Sequence, residues 1–419
     1  MSPGMRIVLA TAVILIFCLA NTAMAAAGIS PDWKERNSVE GSPFSGLMFS
    51  SDSSTVFAGG NQMYVRSWDG EQHWGGRYGG VAAMSADGNY TVYGLGTRLV
   101  MLNKDGTERW ARSMGGAVRA LAISPDGALV VSADDNGYIN SWYRNGEFYA
   151  RNVTSLVKQL AISPKGTLVV ATTETGLQFM TPALDPVWSD TKNGTIDTDI
   201  LFSYDGSTII TSGGKRVSSH TNTGVLNWMN DITGDAITGI GCSYDCSVIV
   251  IGNQDGSVQA MDRYGTVHWS YPAGQWVNTV AVSQDASVIV AAGIDQNLYV
   301  LDHGGRLLAK KQMDTIIHSR SLAVSPDGKR IVVADEYALN GYTLSPEPEN
   351  IELITVIPTS ARYTYSPSVP TPETTVIVTQ VTSVPVTTLP APTKSPLTPA
   401  VAMIATMGGL LLTLVKRRP

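Results

Sequence analysis

Charged side chains are scarce in this sequence: they make up 15% of its 419 residues, where about a quarter is usual for a soluble domain. The formal net charge of −6 combines both signs, which excludes the basic footprint of a nucleic-acid-binding protein. The five histidines are scattered, and no Gly-rich phosphate loop opens a helix. We therefore predict a non-enzymatic protein with no catalytic, cofactor-binding or metal-binding residues.

Cysteine is almost absent, with three in the whole chain. Cys18 lies in an apolar N-terminal run, which leaves Cys242 and Cys246. No second Cys or His pair lies close to them in the sequence, so a zinc site is excluded. Their spacing spans one predicted hairpin turn, and an exported protein permits disulfides. A local bridge and two free thiols both fit this pattern.

Both ends of the chain carry apolar runs. Residues 1–27 predict a secretory signal peptide, with Arg6 before the apolar run and small residues after it; an uncleaved anchor is the alternative. Residues 397–415 contain no charge and are long enough to cross a ~30 Å hydrocarbon core. The basic end, residues 416–419, favours the cytoplasm. We expect a single-pass membrane protein with its N-terminal domain at the cell surface.

The stretch before the C-terminal apolar run differs in composition from the rest of the chain. Pro, Thr, Val and Ser dominate residues 345–396. A tract of this kind lacks a packing pattern and favours extended, polyproline-like structure. We therefore predict a disordered Thr/Pro-rich stalk that holds the preceding domain away from the membrane.

An internal repeat runs from residue 47 to residue 344, within a predicted propeller domain of residues 28–344. Each copy has an apolar stretch, a Ser, an Asp-Gly-like turn and a second apolar stretch. The turns fall at residues 52, 87, 126, 165, 205, 245, 285 and 327, which are 35, 39, 39, 40, 40, 40 and 42 residues apart. A period of ~40–45 residues is typical of β-propellers with four strands per blade. We predict an all-β, eight-bladed propeller; seven blades are the alternative, because the copy at Asp52 is weak.

Each repeat is predicted to form four strands, lettered A to D in chain order, and two patterns identify them. Continuous apolar runs, such as residues 129–131 and 288–290, predict B strands that are covered on both faces. A Trp that follows the last turn predicts a D strand whose indole fills the gap between blades. These structural tryptophans are Trp33, Trp74, Trp110, Trp188, Trp228 and Trp269. The eighth repeat lacks a D strand, so the segment near residues 32–37 is expected to close it.

The stretch of residues 261–269, from Met261 to Trp269, resembles the tryptophan-docking motif of PQQ-like, quinoprotein-type eight-bladed propellers. The Ser-Pro-Asp-Gly turns resemble those of WD40-like propellers. The order of signal, propeller, stalk, membrane segment and basic end resembles that of membrane-anchored surface proteins of methanogenic archaea. This resemblance implies the fold rather than the function. Alcohol-oxidising quinoproteins carry an adjacent Cys pair that this sequence lacks, so we expect no quinone cofactor.

Propellers usually bind partners on the face formed by the D–A and B–C loops. In this chain the binding-face candidates are Arg77, Tyr78, Arg98, Lys215, Arg216, Trp276, Arg320 and Tyr337. Trp276 precedes an A strand where another repeat has Ala117, so it is either an interaction hot spot or a filler between blades. N-glycosylation sequons, which export makes usable, begin at Asn89, Asn152 and Asn193.

A rigid display head without an assembled catalytic set favours recognition. We expect a cell-surface module that binds a protein or glycan of the envelope or of a neighbouring cell. The alternative is an extracellular carbohydrate-active enzyme, a lyase or glycosidase, working at the channel mouth. Paired acidic groups serve that chemistry. The acidic residues of these loops are Asp134, Asp135, Asp255, Asp295 and Glu336.

Overall fold

The computed structural model describes residues 27–36, 44–60, 62–78, 80–190 and 199–346. Within these residues the chain is all-β, with eight four-stranded antiparallel sheets. The prediction of an eight-bladed propeller is confirmed, and the seven-bladed alternative is wrong because the weak copy at Asp52 forms a complete blade. The predicted signal peptide up to residue 26, the stalk beyond residue 346, the C-terminal apolar segment and Asn193 lie outside the described residues.

The first four blades follow one another along the chain. Blade 1 comprises β2 (Phe44–Phe49), β3 (Thr55–Gly60), β4 (Gln62–Ser67) and β5 (Gln72–Tyr78). Blade 2 comprises β6 (Ala82–Met84), β7 (Tyr90–Leu95), β8 (Arg98–Asn103) and β9 (Glu108–Ser113). Blade 3 comprises β10 (Val118–Ile123), β11 (Leu129–Asp134), β12 (Tyr138–Tyr143) and β13 (Phe148–Val153). Blade 4 comprises β14 (Val157–Ile162), β15 (Val169–Thr173), β16 (Gly176–Met180) and β17 (Pro186–Asp190).

The last four blades continue this order, except that the final one takes its outer strand from the N-terminus. Blade 5 comprises β18 (Asp199–Phe202), β19 (Thr208–Gly213), β20 (Arg216–Thr221) and β21 (Leu226–Asp231). Blade 6 comprises β22 (Ile237–Cys242), β23 (Val248–Asn253), β24 (Ser257–Asp262) and β25 (Val267–Pro272). Blade 7 comprises β26 (Val277–Val282), β27 (Ile289–Gly293), β28 (Asn297–Leu301) and β29 (Leu307–Gln312). Blade 8 comprises β30 (Ile317–Val324), β31 (Arg330–Asp335), β32 (Ala338–Pro346) and β1 (Ala27–Arg36).

The core lies between the blades. Strand β11 is buried along its whole length, and Val130 and Val131 are both fully buried although they face opposite sides of the sheet. Val130 packs in a cluster with blade 2, and Val131 packs in one with blade 4. The continuous apolar runs of the B strands therefore follow from blade stacking, because each inner strand is covered on both faces.

Each A–B turn is held by a Ser and an Asp. In blade 3 the Ser124 hydroxyl donates to Asp126 Oδ1 at 2.7 Å, and the same oxygen accepts from the backbone N–H of Ala128 at 3.0 Å. The Ser–Asp hydrogen bond recurs in seven blades, while blade 4 has Lys165 in the Asp position. The hydroxyl of Ser203 is the main cause that lowers the pKa of Asp205 to about 2. The repeated Ser therefore stabilises a charged turn.

The A–B turns of neighbouring blades are also joined to one another. The residue before the turn Asp donates its backbone N–H to the carbonyl of the equivalent residue in the next blade. These bonds run from Ser51 to Ala86, Ala86 to Pro125, Tyr204 to Tyr244, Tyr244 to Gln284 and Gln284 to Pro326. Three blades have Pro at this position, which removes the donor. The turns thus form an interrupted ring around one end of the central channel.

The ring of blades closes through the N-terminal strand. β1 pairs antiparallel with β32 over nine residue pairs, from Ala27–Pro346 to Arg36–Ala338. Residues 32–36 of the segment predicted to close the last blade lie in this strand. The Trp33 ring then packs on blade 1, with the Arg66 guanidinium 3.9 Å from its centroid and Trp68 5.6 Å away. Blade 8 is therefore built from both ends of the described chain.

The predicted D-strand tryptophans each contact the next blade. Trp110 in blade 2 donates its indole N–H to the carbonyl of Arg144 in blade 3 at 3.0 Å. A Cβ on Gly146, which lies in the same C–D turn with φ +79°, would come within 2.6 Å of the Trp110 ring. The same Trp-on-Gly contact joins Trp74 to Gly106, Trp188 to Gly224, Trp228 to Gly265 and Trp269 to Gly305. The repeated Gly and Trp are therefore two halves of one interface between blades.

His220 departs from this apolar pattern. It is 1% exposed in β20, next to Trp188 and Phe179 of blade 4, and neither ring nitrogen has a hydrogen-bond partner. The equivalent position of the C strand holds Met180 in blade 4 and Met261 in blade 6. Burial lowers the pKa of His220 below its ordinary value of 6.5.

We predict that His220→Met raises the free energy of unfolding by about 1–2 kcal/mol at pH 7.5, because it removes an unsatisfied buried polar group. The gain should widen below pH 6.5, since the unfolded wild-type chain then binds a proton that the folded chain does not. Urea unfolding at several pH values measures both effects. The exposed His303→Gln is the control; a pH-independent difference between wild type and His220→Met contradicts the prediction.

Candidate functional site

A bulge lies near the start of most A strands and sets the chemistry of the channel. In blade 3 the pairing register between β10 and β11 shifts between Val118 and Ala120, which leaves Arg119 as the extra residue. The same one-residue shift occurs in blades 1, 4, 6 and 7, and blade 8 has a larger one. A bulge redirects the side chain of the inserted residue. At the innermost strand, this places a variable side chain at the channel mouth.

The channel at this end is a cavity of about 1050 Å³, lined by the A strands of all eight blades. It lies on the face of the D–A and B–C loops, opposite the ring of A–B turns. Among the described residues that line it, the charged ones are Arg119, Lys158, Asp199 and Arg320. Three cations therefore face one carboxylate, in a chain whose formal net charge is −6. The described lining residues therefore carry more positive than negative side chains.

Two of the bulge residues serve the fold rather than the cavity. The Thr238 hydroxyl of blade 6 donates to the carbonyl of Val277, and the Asn278 amide of blade 7 donates to the carbonyl of Ile317 at 2.8 Å. Both bonds tie an A strand to the next blade. Among the residues whose side chains are described, the charged ones that remain for a ligand lie in blades 3, 4, 5 and 8.

Arg119 and Lys158 are exposed cations on neighbouring blades. The Arg119 guanidinium lies 3.5 Å from Asp135, and its side chain remains 62% exposed. Lys158 has no ion-pair partner among the residues that the structure describes. Because these side chains keep most of their hydration, a ligand can reach both without breaking a buried contact.

Arg320 crosses the channel. Its guanidinium donates to Asp199 Oδ1 at 2.9 Å, which joins blade 8 to blade 5. The A strand of blade 8 carries two more residues than that of blade 3, because Ile317 and Leu322 pair where Val118 and Leu121 pair in blade 3. Arg320 lies in this insertion with φ +61°, a left-handed conformation that is uncommon for a non-glycine residue. Blade 8 is thus specialised to extend one cation inward.

The binding-face candidates predicted from the sequence do not form one cluster. Arg98 pairs with Glu108 at 2.7 Å and Arg216 with Asp231 at 2.7 Å, each within its own blade. The Lys215 ammonium donates to the carbonyl of Gly234 at 2.7 Å. Trp276 and Tyr337 are 49% and 47% exposed on loops, so Trp276 does not fill a gap between blades.

Of these candidates, Arg320 lines the channel. The side chains of Arg77 and Tyr78 lie outside the described residues, although their backbone belongs to β5.

Arg119, Lys158 and Asp199 were not predicted as site residues. The repeat contains a signal for Arg119 and Lys158, because each stands five residues before the turn Ser, as the predicted Arg320 does. Asp199 stands four residues before it and follows no such rule. The bulge that turns these positions inward depends on pairing between strands and leaves no mark in the local sequence.

The predicted modification sites differ in their surroundings. Cys242 and Cys246 form a disulfide across the A–B turn of blade 6, with Cα atoms 5.0 Å apart. Asn89 is exposed in an A–B turn. Asn152 is half-buried and donates its amide to the carbonyl of Leu184 in blade 4 at 2.8 Å. A glycan on Asn152 would disrupt a contact between blades, whereas Asn89 is accessible.

Eight four-stranded blades with Ser-Asp turns define an eight-bladed β-propeller with WD40-like repeats. Residues 112–143 match the WD domain, G-beta repeat. Among solved structures, the computationally designed Ika8 protein has a TM-score of 0.62 at 17% identity and covers 75% of this chain and 99% of its own. The C-terminal WD40 domain of Sif2 has a TM-score of 0.65 at 15% identity, with coverages of 76% and 99%. At these identities the likeness shows the fold alone.

A more particular similarity covers the second half of the propeller. Residues 200–345 match the lambda-carrageenase β-propeller domain family. Lambda-carrageenases of Pseudoalteromonas carrageenovora and of a Pseudoalteromonas species are each 29% identical over 116 residues. That stretch is 26% of this chain and 11% of either relative. The similarity therefore concerns a propeller segment rather than the whole relative.

Within the described residues, no helix is long and apolar enough to cross a bilayer.

Proposed function

We propose that this propeller is a non-catalytic recognition module that binds an anionic glycan at the mouth of its channel. The observation that carries the proposal is the charge of the channel lining, with Arg119, Lys158 and Arg320 against Asp199. Guanidinium and ammonium groups recognise sulfate and carboxylate groups through charge-assisted hydrogen bonds. A mouth of about 1050 Å³ has room for several sugar rings.

The similarity to carrageenases favours a glycan over a protein as the ligand. The matched residues, 200–345, include Arg320 and the inner strands of blades 6 to 8. The repeated contact of each D-strand Trp with the next blade also fits the tryptophan-docking propellers that the sequence resembles. Neither similarity extends to a complete relative, and the anionic character of the ligand is inferred from the channel itself.

We place the module at the cell surface on the basis of sequence. The signal-like residues 1–27, the Thr/Pro-rich tract and the uncharged run of residues 397–415 support export, display on a stalk and membrane attachment. An envelope or neighbouring-cell glycan would then be within reach of the channel mouth.

The second candidate is an extracellular carbohydrate-active enzyme, and the name of the carrageenases favours it. A glycosidase of the usual kind needs two carboxyl groups flanking the scissile bond. Among the described residues that line the channel, Asp199 is the single carboxylate, and it is paired with Arg320. This arrangement supports binding over hydrolysis by a carboxylate pair.

We predict that the full chain binds a sulfated galactan oligosaccharide and that Arg119→Ala/Lys158→Ala weakens this binding by at least about tenfold, since two charge-assisted contacts are lost. Affinity should fall with added salt because the site is exposed. Isothermal titration calorimetry against sulfated, carboxylated and neutral oligosaccharides of equal length measures both effects.

The matched control is Arg98→Ala/Lys215→Ala, which removes the same charge from the rim of the same face. Equal losses of affinity in the two double variants would show that the binding is non-specific electrostatic attraction, which contradicts a channel site. Release of shorter oligosaccharides during incubation, absent in a heat-denatured control, would favour the enzyme instead.

A further inference from the structure

We propose that Asp199 occupies the place of the ligand's anionic group, so that binding at the channel mouth exchanges the Asp199 carboxylate on Arg320 for a sulfate or carboxylate of the glycan. This inference rests on the proposed function and adds the residue that sets its selectivity. Asp199 then competes with the ligand anion for Arg320, so the Arg320–Asp199 pair is an exchangeable contact rather than a fixed link between blades.

The geometry of the pair supports exchange. The two groups meet at 2.9 Å from blades that are three positions apart, and both line the same cavity as Arg119 and Lys158. The Arg320 side chain is 53% exposed and that of Asp199 is 23% exposed. Because water reaches the pair, its net contribution to stability is small, and a ligand anion replaces the carboxylate without leaving a buried charge unpaired.

The backbone of blade 8 indicates that the position of Arg320 is built for something other than stability. Two additional residues and a left-handed Arg320 carry the guanidinium inward, at a conformational cost that an exposed ion pair does not repay. Backbone strain of this kind accumulates at binding sites. The contrast with Thr238 and Asn278, whose side chains join neighbouring blades, is consistent with a role for Arg320 in recognition.

Exchange has a consequence for selectivity. A glycan with a sulfate or carboxylate group replaces Asp199 on Arg320, whereas a neutral glycan offers nothing in return for the lost ion pair. Asp199 therefore disfavours neutral ligands. Its removal should raise the affinity for an anionic glycan, because the ligand anion no longer competes with a carboxylate for Arg320. In such a variant the Arg320 guanidinium would no longer be paired with Asp199 and would bind the ligand anion together with Arg119 and Lys158.

The test measures the affinity of the full chain for a sulfated galactan oligosaccharide by isothermal titration calorimetry. We expect Asp199→Asn to bind about three- to fivefold more tightly, which is the scale of an exposed ion pair, and Arg320→Gln to bind more weakly than wild type. In the Arg320→Gln background, Asp199→Asn should give no gain, since the gain requires the Arg320 guanidinium. The control Asp231→Asn removes the same charge from the outer pair with Arg216 and should leave the affinity unchanged.

The outcomes separate the two proposals. If wild type binds and Arg119→Ala/Lys158→Ala does not, but Asp199→Asn leaves the affinity unchanged or lowers it, exchange is wrong while the channel site stands. An equal gain of affinity in Asp199→Asn and Asp231→Asn also overturns exchange, because the affinity would then follow the overall charge of the protein. If no variant binds any anionic oligosaccharide, the proposed function fails and exchange fails with it. A melting temperature of Asp199→Asn close to that of wild type excludes a trivial loss of fold.

Discussion

Trp110→Ala is expected to lower the free energy of unfolding by about 3 to 5 kcal/mol, the range for truncating a large buried aromatic residue. Trp110 is 6% exposed and packs on Gly146 of the next blade, whose Cα position admits no side chain beside the indole. The substitution opens a cavity between blades 2 and 3 and removes the indole donor to the carbonyl of Arg144. Chemical denaturation followed by circular dichroism measures the loss.

Trp276→Ala is the matched control, because Trp276 is 49% exposed on a loop. We expect it to change the unfolding free energy by less than about 0.5 kcal/mol. Gly146→Ala tests the same interface from the other side. It should lower the free energy of unfolding by about 1–3 kcal/mol, because the added methyl group overpacks against the indole. Similar losses for Trp110→Ala and Trp276→Ala would show that the D-strand tryptophans do not carry the contact between blades.

Removal of the N-terminal strand is expected to have an effect at least as large. A chain that begins at residue 44 lacks β1, so blade 8 loses its outer strand and the Trp33 contact with Arg66 of blade 1. We expect this truncation to cost more than about 4 kcal/mol, since a large aromatic contact and a strand are lost together. It also leaves β32 as an unpaired edge, which favours association between chains. Denaturation and size-exclusion chromatography measure these two effects.

A point variant separates closure from simple shortening. A Cβ on Gly341 of β32 would collide with the Trp33 indole, so Gly341→Ala should cost about 1–3 kcal/mol. Gly46→Ala, also within a strand, meets no atom within 4 Å and should be close to neutral. Closure through Trp33 would be contradicted if the truncated chain remained a monomer as stable as wild type, or if the two alanine variants behaved alike.

The blades could be predicted from the sequence because each one repeats the same set of interactions. Ser124 and Asp126 stabilise a turn through hydrogen bonds that span at most five residues; the Ser recurs in all eight repeats and the Asp in seven. Gly146 and Trp110 are also fixed in phase, although they meet across two blades. A feature that is repeated eight times is detected even where single copies, such as that at Asp52, are weak.

The channel site could not be predicted in the same way, because it depends on departures from the repeat. The bulges that turn Arg119 and Lys158 inward arise from pairing between strands. The insertion that carries Arg320 to Asp199 is visible only as a spacing of 42 residues in place of about 40. Arg98 and Arg216 shared a predicted face with Arg320, but partners within their own blades hold them at the rim. Loop position alone did not distinguish these cases.

The most direct measurement of the central claim is an experimental structure of the protein with a bound sulfated galactan oligosaccharide. We predict density at the D–A mouth, with sulfate oxygens within hydrogen-bond distance of Arg119, Lys158 and Arg320, and with Asp199 displaced from the Arg320 guanidinium. Density at the ring of A–B turns, or on the loop of Trp276 with an empty channel, would contradict the assignment of the site.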